Sequence, residues 1–391
     1  MERLDKIKIQ TINSKILSGN FGKGKYFGYG NKKLISLVEI RTNNEIIGFG
    51  ESLVGIYSSD LYEKNLKYLS DFFLNQSPRQ ALKICQKLQT NKFFFDSGLL
   101  KSILASIEIG VLNLISSYYN ENLATTINRI YFSSKKKESN TVKIYSSAGS
   151  IKSSLRNLRE DIKKSKSLGI DLIKIRLDIN KNYEKKIKTL KANKMKFSVD
   201  LICNTYEKNK NYYNLRKFLT YIHKFNPKWI EEALNVNDLH KFNEVKKIKP
   251  LSFSYGENFN SIFDYYNLAY YYKFKYINVD VSHITITDLI GLINLIEKKK
   301  LKTKIIFHCW GGIINLHTSL EIASLMKKNI EMVEFPIADF SLNNEFINSV
   351  NAKKSIIDLN SINRKNINQF YLKETKKKKL NKYSKYEFKF S

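Results

Sequence analysis

The stretch KWIEEALNVNDLHKFNEVKKIKPLSFSYGEN, residues 228–258, shows the pattern on which the fold of the whole chain depends. It contains two short β-rich runs, 229–230 and 251–254, and each run leads into a glutamate, Glu231 or Glu257. An ionised carboxylate is costly inside a hydrophobic core, so each glutamate marks the end of a buried strand. The two glutamates lie 26 residues apart, which leaves room for a helix that connects two parallel strands.

The same combination of a β-rich run and a polar end occurs eight times from about residue 141 onwards. The runs lie at 142–145, 172–175, 197–201, 229–230, 251–254, 276–279, 304–307 and 332–335. The polar residues are Ser147, Lys174 with Arg176, Asp200, Glu231, Glu257, Asp280, His308 and Glu334. Successive ones are 23 to 31 residues apart, and a strand–helix unit of a parallel barrel takes about 30 residues. We therefore predict an α/β fold, a TIM-type barrel with one polar group per strand at one mouth, although a single charged strand end often has no function.

The N-terminal part has a different order of elements. Runs at 6–12, 34–41 and 45–49 have strand character around a turn at 42–44, and helical spacing follows at 61–89 and 99–118. Strands followed by helices are typical of an α+β domain. We predict an α+β domain at residues 1–135 and a barrel domain at residues 136–340.

The net charge first suggests a protein that binds nucleic acid or a membrane. The chain has 67 Lys and Arg against 36 Asp and Glu, a formal net charge of +31. Only nine of the cations are Arg, which favours a general excess of lysine over a surface selected for phosphate binding. The lysine-rich stretch at 376–379 is expected to be part of a solvated tail. We expect no specific nucleic-acid partner and no membrane partner.

Composition also limits the fold and the location. With 42% apolar and 13% aromatic residues, most of the chain can form a core and is not disordered. The three Cys form no CxxC pattern, and residues 1–13 do not have the pattern of a secretory signal, so we expect a reduced, cytoplasmic setting. The apolar window 99–116 is interrupted by Lys101 and Glu108, which predicts a buried helix and not a membrane span.

The polar residues at the barrel mouth predict a metal site and a proton-transfer pair. Asp200, Glu231 and Glu257 would repel one another unless a cation held them, and three carboxylates with positions left for water and substrate suit Mg²⁺. Asp280 and His308 end neighbouring strands, and a carboxylate beside a histidine fixes its tautomer and raises its pKa. The plain alternative for His308 is a core histidine with its hydrogen bonds satisfied.

An ordered set of short motifs resembles one known family. The motifs are GFGES at 48–52, KIR at 174–176, VD at 199–200, WIEE at 229–232, GEN at 256–258, VD at 279–280 and HCWG at 308–311. Their order and spacing resemble those of the mandelate racemase subgroup of the enolase superfamily, over about residues 5–340. The resemblance implies a modified (β/α)7β barrel and an N-terminal α+β capping domain that the segment at about 341–391 completes. It also implies removal of the proton α to a carboxylate through an enediolate, with one Mg²⁺ per active site.

The resemblance also implies roles for individual residues. It makes Asp200, Glu231 and Glu257 the Mg²⁺ ligands, and Asp280 and His308 the acid/base dyad. It also makes Glu334 a hydrogen-bonding partner of the substrate carboxylate and Ser147 a second contact to that carboxylate. Lys174 would be an electrostatic stabiliser. It places substrate-covering loops at Lys25 and Tyr26 and near Tyr57. A phosphate-binding loop at 22–30 is disfavoured because a β-rich run follows the glycines, whereas an ordinary hairpin stays possible. We expect a small sugar or hydroxy acid as substrate and a homo-oligomer.

Departures from the family pattern bear on the reaction. Arg176 stands where the family usually has a second proton-transferring Lys, and a guanidinium does not lose its proton, so Arg176 is expected to bind substrate instead. With His308 as the one base, we predict a lyase that dehydrates a sugar acid in carbohydrate acid catabolism. One alternative is a racemase or epimerase that uses Lys174 as a second base. The other is a non-catalytic basic binding protein on the same scaffold.

Overall fold

The computed structural model describes residues 2–21, 32–91, 98–148, 153–181, 183–202, 212–362 and 367–377. The chain begins with a short helix, α1 (Glu2–Asp5), and an antiparallel sheet of three strands in the order β1 (Ile9–Asn20), β2 (Lys32–Thr42) and β3 (Ile47–Ser52). Helices α2 (Val54–Tyr57), α3 (Ser59–Ser70), α4 (Pro78–Gln89), α5 (Gly98–Tyr119) and α6 (Leu123–Tyr131) follow. The predicted order of strands and then helices is confirmed.

The predicted helical stretch at 61–89 is two helices and not one. Helix α3 ends at Ser70, and α4 starts at Pro78. Ser77 caps α4, because its side chain accepts a hydrogen bond from the backbone N–H of Gln80. Proline fits the first position of a helix because the N–H that it lacks has no partner there. The Ser-Pro pair therefore starts a new helix.

The second half of the described chain forms a closed parallel barrel. Its strands are β4 (Thr141–Ala148), β5 (Leu172–Arg176), β6 (Lys196–Asp200), β7 (Ile230–Glu231), β8 (Phe253–Tyr255), β9 (Tyr276–Val279), β10 (Lys304–Phe307) and β11 (Ile330–Pro336). Each strand pairs with the next, and β11 pairs with β4, which closes the barrel. The eight predicted runs are thus the eight barrel strands, and the predicted fold class is confirmed.

Helices connect the barrel strands in sequence order. They are α7 (Leu155–Ser167), α8 (Tyr183–Ala192), α9 (Tyr212–His223), a 3-10 turn (Val236–Lys241) continued by α10 (Phe242–Ile248), α11 (Ile262–Tyr270), α12 (Ile286–Lys298) and α13 (Ile313–Leu325). After β11 come α14 (Asn344–Ser349), the hairpin β12 (Ala352–Lys353) and β13 (Ile356–Asp358), a second 3-10 turn (Leu359–Ser361) and α15 (Ile367–Lys377). Seven connections between eight strands agree with a (β/α)7β barrel.

The C-terminal helix α15 returns to the N-terminal sheet. Asn368 in α15 accepts a hydrogen bond from the N–H of Phe49 and donates to the carbonyl oxygens of Ile47 and Asn113. The end of the described chain thus contacts β3 and α5. The domain boundaries at 135 and 340 stay a prediction.

Helix α5 is the buried centre of the N-terminal part. By length and composition alone it could span a membrane, but 83% of its apolar window is buried inside the protein. It packs directly on β3, where glycines allow the two backbones to approach. A Cβ at Gly48 would lie 2.1 Å from the carbonyl oxygen of Gly110, and one at Gly50 would lie 1.8 Å from that of Ser106. The helix is therefore a core element, as predicted.

This close approach generates a stability prediction. Gly50→Ala would push β3 away from α5, and we expect the free energy of unfolding to fall by about 3 kcal/mol, as in other overpacked cores. Chemical denaturation would measure the change. Gly291→Ala is the matched control, because Gly291 lies inside α12, where the nearest atom to a new Cβ is the flexible Cδ1 of Ile262 at 3.2 Å. The free energy of unfolding of that variant should rise by up to about 1 kcal/mol. An equal decrease in both variants would contradict the close-packing argument.

Candidate active site

Three carboxylates converge at the C-terminal ends of consecutive barrel strands. Asp200 ends β6, Glu231 ends β7, and Glu257 follows β8 by two residues. The pairing register places Asp200 directly beside Glu231. Gly256 adopts a φ of +121°, a conformation that L side chains rarely adopt, just before Glu257. One oxygen from each carboxylate lies within 4.8 Å of the other two, so the structure brings the three predicted metal ligands together.

The chemistry of this cluster fits a divalent cation. Oε2 of Glu257 is buried and makes no hydrogen bond with the described residues, and Nε2 of His308 lies 3.4 Å from it. Burial raises the pKa of Glu231 to about 7; Lys174 opposes this shift, and the neighbouring carboxylates of Asp200 and Glu257 add to it. A cation among the three carboxylates would offset their mutual repulsion and give Oε2 of Glu257 a partner. An all-oxygen donor set with room for further ligands fits Mg²⁺.

Two cations on β5 face the carboxylates. Nζ of Lys174 lies 2.6 Å from Oε1 of Glu231 and 3.5 Å from Oε1 of Glu334. Burial alone lowers the pKa of Lys174, but the carboxylates, Glu231 first, raise it well above its usual range. Nε of Arg176 lies 3.3 Å from Oδ2 of Asp200. Both side chains therefore stay protonated and supply fixed positive charge.

His308 and Asp280 form the predicted pair. Nδ1 of His308 lies 2.7 Å from Oδ2 of Asp280, whose Oδ1 accepts a hydrogen bond from the side chain of Asn315 at 2.6 Å. Nε2 of His308 faces Glu257 at 3.4 Å and Glu334 at 4.0 Å. Burial lowers the pKa of His308, but these carboxylates outweigh burial and raise it to about 10. A divalent cation among the carboxylates would offset their charge and lower that pKa again.

Glu334 and Ser147 lie on the two strands that close the barrel. Burial favours the neutral form of Glu334, but Lys174 and His308 outweigh it, and a hydrogen bond from the side chain of Ser147 assists them. The pKa of Glu334 is thereby lowered to about 2. Glu334 is therefore an ionised acceptor, and its role as a partner of the substrate carboxylate stays a prediction.

Two aromatic residues support the carboxylates and were not predicted. Nε1 of Trp229 donates to Oε2 of Glu231 at 3.0 Å. The hydroxyl of Tyr145 donates to Oε2 of Glu334 at 3.4 Å. Both belong to β-rich runs of the sequence, and Trp229 belongs to the WIEE motif. Their position in a buried run indicated packing and gave no sign of these hydrogen bonds.

Glu51 of β3 holds the segment that follows His308, and no role was predicted for it. Its two carboxylate oxygens accept the backbone N–H groups of Gly312 and Asn315. The side chain of Asn315 in turn donates to Asp280. A Cβ at Gly311 would lie 2.3 Å from Oε1 of Glu51, so the segment can approach Glu51 only with glycine there. The N-terminal sheet thus fixes the backbone beside the dyad.

Lys33 of β2 holds the same segment from the other side, and the sequence gave no signal for it. Its Nζ donates to the carbonyl oxygens of Trp310 and Gly311, the latter at 3.2 Å. The ring centroids of Trp310, Phe340 and Phe21 lie 4.1, 4.9 and 5.5 Å from Nζ. We call Lys33 and Glu51 the clamp residues, because together they bind the C=O and N–H groups of residues 310–315.

Three predicted substrate contacts are not settled by this geometry. Lys25 and Tyr26 lie outside the described residues. Tyr57 ends helix α2, and only its backbone is described. Their roles as substrate-covering residues stay predictions.

Comparisons with known proteins identify the family and the fold. Residues 157–358 match the family model described as "Enolase C-terminal domain-like". No curated protein matches the sequence significantly. Solved structures do match, among them a member of the enolase superfamily from Agrobacterium tumefaciens, with 15% identity, a TM-score of 0.73, and coverage of 90% of this chain and 94% of that one.

Two further solved structures have the same fold. The 3,6-anhydro-D-galactonate cycloisomerase from Zobellia galactanivorans has 15% identity and a TM-score of 0.71. A candidate dehydratase from Zymomonas mobilis ZM4 has 16% identity and a TM-score of 0.69. In both comparisons the match covers 90% of this chain and 94% of the other. At these identities the matches establish the fold and not the reaction.

The carboxylate cluster predicts that Mg²⁺ reverses the order of stability of the wild type and Glu257→Gln. Without metal, Glu257→Gln removes one of three like charges, so we expect it to be more stable than the wild type in the presence of a chelator. With Mg²⁺ at about 100 times its Kd, the wild type should gain about 2–3 kcal/mol and Glu257→Gln should gain little. Thermal melts with and without MgCl₂ would measure both effects.

Glu331→Gln is the control for this experiment. Glu331 lies near the opposite end of β11 from Glu334 and pairs with Lys228 at 2.9 Å. It should respond to Mg²⁺ as the wild type does. An equal Mg²⁺ response in Glu257→Gln would show that the cluster is not the metal site.

The raised pKa of Glu51 predicts that the stability of the protein depends on pH. Burial raises its pKa to about 7, against the two N–H donors, which favour the ionised form. A folded-state pKa above the unfolded value stabilises the protein at low pH, and this contribution disappears as the pH rises through about 7. The free energy of unfolding of the wild type relative to Glu51→Gln should therefore fall by about 1–3 kcal/mol between about pH 5 and pH 8. Glu45→Gln, whose native side chain is 71% exposed, should show no such trend; a flat difference for Glu51→Gln would refute the prediction.

Proposed function

Because the chain belongs to the enolase superfamily, we propose that it removes the proton α to a carboxylate and dehydrates a sugar acid in a Mg²⁺-dependent reaction. The observation that carries this proposal is the position of Nε2 of His308, which faces the carboxylate cluster while Asp280 holds Nδ1. The dehydratase assignment, a lyase activity, goes beyond superfamily membership.

The residues at the barrel mouth suit the binding of a carboxylate substrate. A Mg²⁺ bound by Asp200, Glu231 and Glu257 would hold the substrate carboxylate and offset the negative charge that develops on it. Lys174 adds a second fixed positive charge within 2.6 Å of Glu231. Because Lys174 is held in place before the reaction, its charge would need no reorganisation as negative charge develops.

His308 is placed to move the proton. In its neutral form, Nδ1–H donates to Asp280, and the lone pair of Nε2 faces the site. Nε2 would accept the α proton and become an imidazolium that Asp280 stabilises. It would then donate this proton to the β hydroxyl, so that the C–O bond breaks and water leaves. The enol that remains tautomerises to a 2-keto-3-deoxy acid.

The cations of β5 argue against the racemase alternative. Racemisation needs a second base on the other face of the carbon. Lys174 contacts Glu231 at 2.6 Å and Glu334 at 3.5 Å, and these carboxylates favour its protonated form, while a guanidinium such as Arg176 stays charged. A one-base elimination therefore suits this site better. The other alternative is a binding protein without catalytic activity. Such a protein would have no need for three converging carboxylates and an Asp–His pair.

The cytoplasmic location and the homo-oligomer stay predictions.

The test is to assay mono- and diacid sugars for 2-keto product in the presence of Mg²⁺, with deuterium exchange at the α carbon in D₂O. We expect His308→Asn to lose both product and exchange by roughly 10²–10⁴-fold, the usual contribution of a general acid–base group. His240→Asn is the matched control, because His240 is exposed and lies outside the site. Exchange retained in His308→Asn would exclude the proposed base. Exchange without loss of water in the wild type would favour an isomerase.

A further inference from the structure

A small pocket is lined by residues of the barrel mouth and of the N-terminal sheet. Its lining includes Lys33, Ser147, Arg176, Trp310, Glu334 and Asn343. Glu334 contacts Lys174, and Arg176 contacts Asp200, so the pocket adjoins the proposed metal site. A substrate with its reacting carboxylate at that site would extend into this pocket.

Lys33 is a buried cation without a carboxylate partner. It is 8% exposed, and its Nζ contacts two carbonyl oxygens and three aromatic rings. Among the described residues, no carboxylate oxygen lies within ion-pair distance of it. Burial lowers its pKa to about 7, and Glu51 and Glu334 counteract this only from a distance. An ammonium has three N–H donors, and two of them are used by the carbonyls of Trp310 and Gly311.

The charges around the pocket favour an anion. Lys33 and Arg176 both line it, and Glu334 is the one carboxylate among its lining residues. Lys174 at 3.5 Å and His308 at 4.0 Å already balance Glu334. A buried charge without a partner is costly, and a ligand that supplies the opposite charge removes this cost. Arg176 pairs with Asp200, so Lys33 is the cation of the pocket for which no carboxylate of the described residues lies within ion-pair distance.

We propose that the substrate is a dicarboxylate, and that its second carboxylate binds to Lys33 in this pocket. The proposal rests on the proposed function, because it takes the first carboxylate to lie at the metal site. A carboxylate suits the pocket better than a phosphate, because its single negative charge matches the single charge of Lys33, whereas a phosphate carries about two. Lys33 would then act as a specificity-determining residue.

The wild type alone provides the first test. The probes are a six-carbon aldarate, with a carboxylate at each end, and the aldonate of the same configuration, with one. Calorimetric titration in the presence of Mg²⁺ measures binding of each. We expect the aldarate to bind at least about tenfold more tightly, as for a hydrogen bond between charged groups. Equal affinities would overturn the proposal without any variant.

The second test replaces the lysine. Lys33→Met removes a contact to the segment beside His308 for either acid, so the test is the difference: aldarate affinity should fall at least about tenfold more than aldonate affinity. Lys32→Met is the matched control, because Lys32 is the neighbouring, exposed residue of β2. Lys33→Gln, which keeps a donor for the carbonyls, serves if Lys33→Met does not fold. An equal loss for both acids would mean that Lys33 only positions the loop, and would overturn the proposal.

These measurements separate the two proposals. Binding of the aldarate that depends on Lys33, with no 2-keto product from any diacid, would support the pocket assignment and remove the dehydratase assignment. Product from aldonates alone would support the dehydratase and overturn the pocket assignment.

Discussion

Electrostatic repulsion between three converging carboxylates, two of them buried, is the constraint on which the rest of this structure depends. At 4.8 Å and an effective dielectric constant of about 20, each pair of charges costs about 3–4 kcal/mol. Three such pairs approach the whole stability of a typical domain, about 5–15 kcal/mol. Lys174 offsets part of this cost, while burial first and the neighbouring carboxylates second raise the pKa of Glu231. Only a site that uses a cation gains from such an arrangement.

The barrel explains why so much of this site could be predicted from the sequence. Parallel strands end on one side, so a polar residue after each β-rich run must reach the same mouth. The three carboxylates predicted to bind metal and the predicted dyad followed from that rule and from the family motifs. Trp229 and Tyr145 did not, because a hydrogen bond from a buried ring has no pattern of its own. The break between α3 and α4 did have a signal, Ser77 followed by Pro78, and the periodicity of the surrounding helices obscured it.

The clamp residues show where prediction from the sequence ends. Glu51 and Asn315 are 264 residues apart, and they meet through a backbone N–H that every residue except proline has. Lys33 contacts backbone oxygens in the same way. Such contacts depend on how β2 and β3 sit on the barrel, and no spacing in the sequence encodes that. The two glycines at 311 and 312 were visible in the sequence, but their purpose, close approach to Glu51, becomes clear only in three dimensions.

The clamp residues also connect the backbone beside the dyad with the pocket beyond the proposed metal site. Glu51 fixes the backbone beside the dyad, and Lys33 fixes the same segment while it lines the pocket beyond the metal site. An anion bound at Lys33 would favour the protonated form of the lysine, whose ammonium donates to the carbonyl oxygens of Trp310 and Gly311. The substrate would thereby hold the segment next to His308 more firmly. Recognition at the far end of the substrate and the position of the base would then depend on one side chain of the N-terminal sheet.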